Sequence, residues 1–428
     1  MHRTTFGSAS LVRVTRPLRG GAVLAAALLA VVGGPAAVAS AAGTAPAQWY
    51  LGPMKAEAMW KVSTGAGIKV AVIGTGVNPD TASLRGQVLT GVDASVEAGN
   101  TTGSSTDTAD TTGEGTTVAE LIAGTGKGGG IQGLAPGARI IPIRVPAIKH
   151  DDIPDIDYPL SAAVEAAVDS GARIIDFAVG NQYVIGSQLG GDEAFTSAVK
   201  KGVLMIAGVG DVAKEGNDPQ YPAAYNEVAG VGAVDETGTI APTSQWGQET
   251  DLGAPGTNMP RWCDATFTRY CTDSGGNTMA ASAIASASAA LLWARHPDWN
   301  ATQVWRVLED TAGRSWPVND PSMYAGYGMT RPRINLLEGK GNPGSTKPDA
   351  APWFVYPATS KSAKSTNSPT PSPSSPSPGA TADRVMTAAA PDDGLSALNV
   401  LATVAAFAVL AGGAAWALVV VRRRRQAR

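Results

Sequence analysis

Apolar and β-branched residues form short runs that alternate with helical patterns along the middle of the chain. The runs read IKVAVIG (residues 68–74), ARIIPIRV (138–145), ARIIDFAVG (172–180), VLMIAGVG (203–210) and EVAGVGAV (227–234). Helical periodicity is found over residues 116–123, 160–170, 193–201, 279–295 and 301–311. Near-continuous apolar strands separated by helices are typical of a mostly parallel sheet covered on both faces. We therefore predict an α/β domain, with any site at the carboxyl ends of its strands.

The stretch GNTMAASAIASASAALL, residues 276–292, runs from a turn into a helix of almost pure alanine and serine. Small side chains let a helix lie close to its neighbours, which predicts a buried helix at the centre of the domain. The N-terminus of a helix offers free N–H groups and the positive end of the dipole, and both favour an anion. Thr278 is therefore a nucleophile or occupies the position of one.

Both ends of the chain carry membrane-related patterns. Arginines precede an apolar run and an A-x-A pattern, which predicts a secretory signal peptide over residues 1–41, cut near Ala39 or Ala41. A first transmembrane helix is the alternative, but the apolar core is short for one. Residues 395–421 lack charges and are long enough to span a bilayer, and the basic tail 422–428 predicts a cytoplasmic C-terminus. We expect a single-pass protein in the cell membrane with its domain outside the cytoplasm.

The remaining chain divides into a domain and a tether. Residues 339–393 include SPTPSPSSPSPG, and proline and serine at this density favour an extended linker. Residues 47–338 suffice for one large α/β domain. The net charge of −3, without a basic patch, argues against nucleic acid as a partner. Outside the cytoplasm Cys263 and Cys271 are expected to pair, a disulfide contributing about 2–3 kcal/mol, because a metal site would need more ligands nearby.

Several motifs at the predicted strand ends resemble the subtilisin family. VAVIGTGV (70–77) is similar to the strand Val-Ala-Val-Ile-Asp-Thr-Gly-Val, whose Asp orients the catalytic His. GEGTTVAELIAG (113–124) resembles the Gly-His-Gly-Thr-His-Val-Ala-Gly helix start, and GNTMAAS (276–282) resembles Gly-Thr-Ser-Met-Ala-Ala-Pro, which carries the nucleophilic Ser. GLAPGARIIPIRV, YPAAY and LGAPGTN also match in the right order. The resemblance covers nearly all of residues 47–338 and implies a subtilisin-like three-layer fold. Together with the signal peptide, Pro-rich stalk and terminal helix, it points to the mycosins, the membrane-anchored subtilases of type VII secretion.

Every catalytic position of that family is altered here. Gly74 stands in place of the Asp, Glu114 in place of the His and Thr278 in place of the Ser, while Asp211 falls at the oxyanion-hole Asn. The family's substrate-facing strand, Asn-Met-Ser-Leu-Gly, reads DFAVG at residues 176–180. A hydroxyl needs a neighbouring base, the base needs an orienting group, and a carboxylate repels an oxyanion. The family's catalytic mechanism is therefore not expected to operate in this chain.

The histidines offer no replacement for the lost base. His2 leaves with the signal peptide, and His150 is interpreted as a solvated loop residue. His296 ends the alanine-rich helix, where it is expected to cap the last carbonyls.

An acid-active alternative follows from a second resemblance. Sedolisins, acid peptidases of the same superfamily, resemble this chain in having Glu for the His and Asp for the oxyanion Asn, and protonated carboxyls serve catalysis at low pH. They also need a second acid one helical turn after the Glu, where this chain has Val118, and a Ser where it has Thr278. Glu120 would point off the shared helix face. Asp107 and Asp110 are interpreted as solvated carboxylates of a flexible approach.

The favoured hypothesis is a mycosin-like subtilase homologue without its catalytic triad, a structural or regulatory pseudoprotease of a type VII secretion system. Its expected partners are the membrane and the membrane components of that system. The alternatives are an active, acid, sedolisin-like endopeptidase and an extracytoplasmic module that holds extended peptides in the old cleft. No cofactor or metal ligand set is expected, although the resemblance leaves open a structural calcium held by backbone oxygens.

Overall fold

The structure, a computed structural model, describes residues 43–94, 105–145, 160–179 and 193–345. Its centre is a seven-stranded sheet in which all neighbouring strands run parallel. In chain order the strands are β1 Lys69–Gly74, β2 Val92–Asp93, β3 Arg139–Arg144, β4 Ile174–Ala178, β5 Leu204–Gly208, β6 Val228–Val234 and β7 Leu252–Pro255. Their order across the sheet is β2-β3-β1-β4-β5-β6-β7. The prediction of a mostly parallel α/β domain is confirmed.

The sheet is buried on both faces, as its continuous apolar runs predict. Val70 and Val72 of β1 belong to the hydrophobic core on one side of the sheet, and Ala71 and Ile73 belong to the core on the other. This alternation follows from the two-residue period of a strand. Helices cover both faces, so the domain has three layers.

The described helices are α1 Ala56–Trp60, α2 Glu114–Ala123, α3 Leu160–Asp169, α4 Glu193–Lys200, α5 Thr278–Arg295, α6 Ala301–Asp310 and α7 Pro332–Glu338. The hydrophobic residues of α2 and α5 lie in the first core, and those of α3 and α4 lie in the second. Every residue of α5 from Ala280 to Trp293 is buried, and the helix contacts β4, β5, β6 and β7. The short helices α1 and α7 and the last strand, β7, are absent from the sequence prediction because they are too short for a clear period.

The sequence prediction missed an antiparallel hairpin, although it included the disulfide that links the hairpin. Strands β8 Thr257–Trp262 and β9 Tyr270–Gly276 pair antiparallel and lead directly into α5. Cys263 and Cys271 are joined by a disulfide at the end of this hairpin. The hairpin packs on the start of α2, where the Trp262 N–H donates a 3.0 Å hydrogen bond to the Thr117 hydroxyl.

Several sequence predictions concern residues outside the described ranges. These are the signal peptide (1–41), the linker beyond residue 345, the span (395–421), the tail (422–428) and His150. Within the described ranges, no helix combines the length and apolar character needed to cross a bilayer.

Candidate functional site

Four positions predicted from the motifs lie where strands end and helices begin. Gly74 is the last residue of β1, and Asp211 follows β5. Glu114 is the first residue of α2, and Thr278 is the first residue of α5. The carboxyl edge of a parallel sheet is where such folds place their sites.

The position of Gly74 is sterically closed. An added Cβ would lie 2.7 Å from the Ala178 carbonyl oxygen and 3.0 Å from the Ala178 Cβ on the adjacent strand. Both contacts are shorter than ordinary packing distances, and the nearer one involves backbone. A carboxylate cannot be restored at this position unless β1 and β4 move apart.

Glu114 projects from the start of α2 at the rim of a cleft. Its carboxylate makes no hydrogen bond or ion pair to any residue that the structure describes. Although the residue is exposed, the surrounding protein partly desolvates the carboxylate and raises its pKa. The nearby charge on Asp110 raises this pKa further, and Arg261 opposes the shift.

The interpretation of Asp110 as a solvated carboxylate is wrong, because the structure buries it. It is only 7 % exposed, and its carboxylate accepts hydrogen bonds from the start of α2 and the end of β1. The donors are the hydroxyls of Thr75, Thr112 and Thr116 and the N–H groups of Thr112, Gly113 and Thr116. A carboxylate here satisfies N–H groups that the helix cannot pair internally and meets the positive end of its dipole. Asp107, three residues before Asp110, is exposed as expected.

Thr278 is buried, with 2 % of its surface exposed, and all of its polar groups are engaged. Its hydroxyl accepts a 3.1 Å hydrogen bond from the Gly210 N–H. Its own N–H lies 3.0 Å from Asp211 Oδ1 and 3.2 Å from Oδ2. The turn is tight, because a Cβ at Gly208 would lie 2.6 Å from the Thr278 Oγ1. Thr278 is thus held in place by the end of β5.

Asp211 is the titratable group that contacts Thr278, through both the threonine N–H and its hydroxyl. Burial raises the pKa of Asp211 to about 7. The Thr278 N–H lowers this pKa, and the charge on Asp273 raises it. The Asp211 carboxylate therefore accepts a hydrogen bond from the N–H group at the start of α5. A transition-state oxyanion would need a donor at this place.

A cavity of about 240 Å³ separates the starts of α2 and α5 and is closed on one side by the β8–β9 hairpin. It is lined by Glu114, Thr117, Val118, Leu121, Arg261, Trp262, Asp273, Asn277, Met279 and Ala280. Asp273 accepts a 2.9 Å hydrogen bond from the Asn277 side chain, which also caps α5 through the Ala280 N–H. Arg261 and Asp273 belong to the missed hairpin, and no motif in the sequence marks them.

Glu120 lies away from this cavity. Its carboxylate accepts hydrogen bonds from the Thr81 hydroxyl at 2.6 Å and the Tyr270 hydroxyl at 2.9 Å, and burial raises its pKa to about 7. The residue one helical turn after Glu114 that lines the cavity is Val118. An acid pair on α2 is therefore not formed at the cleft.

Asp176, the first residue of the DFAVG strand, does not line the cleft. The Asp176 side chain is fully buried between β4 and α5, where it accepts hydrogen bonds from Ser286 at 2.6 Å and Ser282 at 3.3 Å. Burial raises its pKa to about 7. The sequence contained one signal of this site, because serines four residues apart lie on the same face of a helix.

His296 is the C-cap residue of α5, as predicted, and its backbone N–H donates a 2.9 Å hydrogen bond to the Leu292 carbonyl. Its ring stacks on Trp299, with centroids 3.9 Å apart, and its Nε2 lies 3.0 Å from Asn335 Oδ1. It lies at the opposite end of α5 from Thr278. Over the described ranges, no group of three or more His, Cys, Asp or Glu residues is arranged to hold a metal ion.

Comparison with known proteins agrees with this architecture. The Peptidase S8 model of the subtilase family matches residues 65–341. The minor extracellular protease Epr of Bacillus subtilis is 31 % identical over 58 % of this chain and 36 % of its own length. Fervidolysin of Fervidobacterium pennivorans is 30 % identical over 64 % of this chain and 41 % of its own length. The chain thus matches less than half the length of both relatives.

This chain is also similar to a solved structure. The MycP3 protease from the type VII (ESX-3) secretion system superposes with a TM-score of 0.55 and 27 % identity, over 69 % of this chain and 91 % of that one. The family match covers well over half of the chain and includes all four altered positions, which lie at the end of β1, after β5 and at the starts of α2 and α5. The chain belongs to the subtilase family, Peptidase S8, with mycosins among its structural neighbours.

Proposed function

We propose that this chain is a mycosin-like subtilase homologue that has lost peptidase activity and serves a type VII secretion system as a structural or regulatory component. The family membership and the similarity to the MycP3 protease support the link to that machinery. The predicted signal peptide, span and basic tail would hold the domain outside the cytoplasm at the cell membrane. Membrane components of the secretion system would be its partners.

The contact between Asp211 and Thr278 is the observation that carries this proposal. In acyl transfer the substrate carbonyl gains negative charge, which preorganised N–H donors must stabilise. Here the Thr278 N–H lies 3.0 Å from a carboxylate oxygen of the same chain. A substrate would have to displace Asp211, and an ionised Asp211 would repel the developing charge.

Activation of the hydroxyl is also unsupported. A threonine or serine nucleophile needs a base poised near the operating pH and held in the correct orientation. Gly74 has no side chain to orient a base, and the exposed carboxylate of Glu114 replaces an imidazole. The Thr278 hydroxyl is instead engaged by the Gly210 N–H and by Asp211.

The proposal is tested by hydrolysis assays on the purified full-length chain with a fluorogenic protein substrate from about pH 3 to pH 8. We expect no turnover above background, and a fluorophosphonate probe should leave Thr278 unlabelled. An active subtilisin serves as the positive control near neutral pH, and an acid peptidase serves below pH 5. Turnover that is lost in Thr278→Ala would refute the proposal.

A second candidate, an acid peptidase, is favoured by one observation. The pKa values of both Asp211 and Glu114 are raised, so these carboxyls gain protons at a higher pH than ordinary carboxyls do. A protonated Asp211 could donate a hydrogen bond to an oxyanion. Turnover that appears only below about pH 5 and is lost in Glu114→Gln would establish this alternative.

A further inference from the structure

The cleft between α2, α5 and the β8–β9 hairpin combines an apolar wall with a charged rim. Its apolar wall consists of Val118, Leu121, Trp262, Met279 and Ala280. Ligand pockets for drug-sized molecules commonly have volumes of roughly 300–1,000 Å³. The 240 Å³ of this cavity therefore suits one long side chain better than a whole small-molecule ligand.

The charges around the cleft are unbalanced. Glu114 and Asp273 line it, and Asp110 and Asp211 lie next to them. Among the residues that the structure describes, Arg261 is the one basic residue in the lining. Asp110 raises the pKa of Glu114, and Asp273 raises the pKa of Asp211, so the acids repel one another in pairs. A cation in the cleft would relieve both repulsions.

The two carboxylates that line the cleft differ in the number of hydrogen bonds that they accept from the chain. Asp273 accepts hydrogen bonds from the Asn277 side chain and the Gly275 N–H. The Glu114 carboxylate accepts none within the described ranges, and Arg261 donates instead to the Trp262 carbonyl. Glu114 is thus an acceptor facing the cleft that still lacks a donor.

We propose that this cleft binds the side chain of a lysine or arginine carried by an extended peptide segment. The alkyl stem would lie along the apolar wall, and the charged end would meet Glu114 and Asp273, because long basic side chains combine these two properties. The inference rests on the proposed function in one respect, which is that the bound peptide stays uncut.

The first experiment measures charge preference with matched probes. Capped, fluorescein-labelled heptapeptides Gly-Ala-Val-Xaa-Val-Ala-Gly carry lysine, arginine, norleucine or glutamate at Xaa, and binding to the full-length chain is followed by fluorescence anisotropy. Norleucine keeps the alkyl stem and lacks the charge. We expect lysine and arginine to bind about 10-fold more tightly than norleucine, glutamate to bind most weakly, and the preference to shrink at high salt.

The second experiment assigns the preference to residues of the cleft. Glu114→Gln and Asp273→Asn should each weaken the lysine peptide about 3- to 10-fold and leave norleucine binding unchanged, whereas Arg261→Gln should tighten the lysine peptide. Asp264→Asn is the matched control, because Asp264 is an exposed acid of the same hairpin outside the cavity lining. Unchanged thermal unfolding midpoints would show that each variant is folded.

Three results would overturn the inference: no binding of the lysine peptide up to about 1 mM, equal affinity for lysine and norleucine, or equal effects of Glu114→Gln and Asp264→Asn. Mass spectrometry of the recovered peptide separates this inference from the proposed function. A cut peptide would refute the pseudoprotease proposal, while the comparison of lysine with norleucine would still decide the charge preference.

Discussion

The helices α2 and α5 both begin at the cleft, and each has an aspartate of the same chain at its N-terminus. Asp110 reaches α2 from the turn directly before it, whereas Asp211 reaches α5 from the end of β5, 67 residues earlier in the chain. The local cap leaves the neighbouring Glu114 carboxylate free to face the cleft. The tertiary cap covers Thr278 and engages its N–H and hydroxyl. The two helix starts therefore differ in what they offer to a ligand. The start of α2 presents the Glu114 carboxylate as a hydrogen-bond acceptor, whereas the N–H and hydroxyl of Thr278 at the start of α5 already bond to Asp211.

The largest expected effect concerns the cap of α2. Asp110→Ala should lower the free energy of unfolding by about 3 kcal/mol or more, because several buried donors lose their acceptor at once. Chemical denaturation of the full-length chain measures this change, and the exposed neighbour variant Asp107→Ala should show no measurable change. Equal stability of the two variants would mean that the α2 cap is not a stabilising feature.

A smaller effect is expected from the cap of α5, because the stabilisation that Asp211 provides should depend on pH. The pKa of Asp211 is about 7 in the folded state against an ordinary value of 3.8, so folding binds a proton between these values. Its stabilising contribution is full below the unfolded pKa and is lost as pH rises through the folded pKa. Burial raises the pKa of Asp176 and Glu120 in the same direction, so the wild-type chain should lose stability from pH 5 to pH 8.

Asp211→Asn isolates the share of this loss that belongs to the α5 cap. The difference in unfolding free energy between the variant and the wild type should change by about 2 kcal/mol from pH 5 to pH 8, in favour of the variant at the higher pH. Denaturation curves at several pH values measure it, with Asp107→Asn as the exposed control. Parallel pH profiles for Asp211→Asn and wild type would contradict the raised pKa.

The smallest expected effect concerns Thr278 itself. Thr278→Ala removes a methyl and a hydroxyl from a buried helix start and should lower the free energy of unfolding by about 1 kcal/mol. Thr278→Ser should lower it less because it keeps the hydroxyl.

In cells, secretion should stay near wild type in Thr278→Ala and fail when residues 47–338 are deleted. A catalytic nucleophile would instead lose on the order of 10³-fold or more in rate. A folded Thr278→Ala chain that fails in secretion like the deletion would indicate that Thr278 is catalytic.

The sheet could be predicted from the sequence because its buried strands are short, continuous apolar runs separated by helical periods. Strands β1, β3, β4, β5 and β6 each lie within one of the predicted runs. The hairpin β8–β9 could not be predicted in this way, because its exposed and buried residues follow no sustained period. Arg261 and Asp273 were missed with it, and they supply much of the charge of the cleft.

Residue identity at the catalytic positions was determined by the sequence alone, since motif spacing places Gly74, Glu114 and Thr278 without coordinates. The environment of each position was decided by the tertiary structure. Asp110 is buried because the end of β1 and the start of α2 close over it, although most of its sequence neighbours are polar. Asp211 covers Thr278 because β5 ends against α5, a contact that no local pattern encodes. Side-chain identity is a local property, whereas desolvation and hydrogen bonding depend on which distant segments pack together.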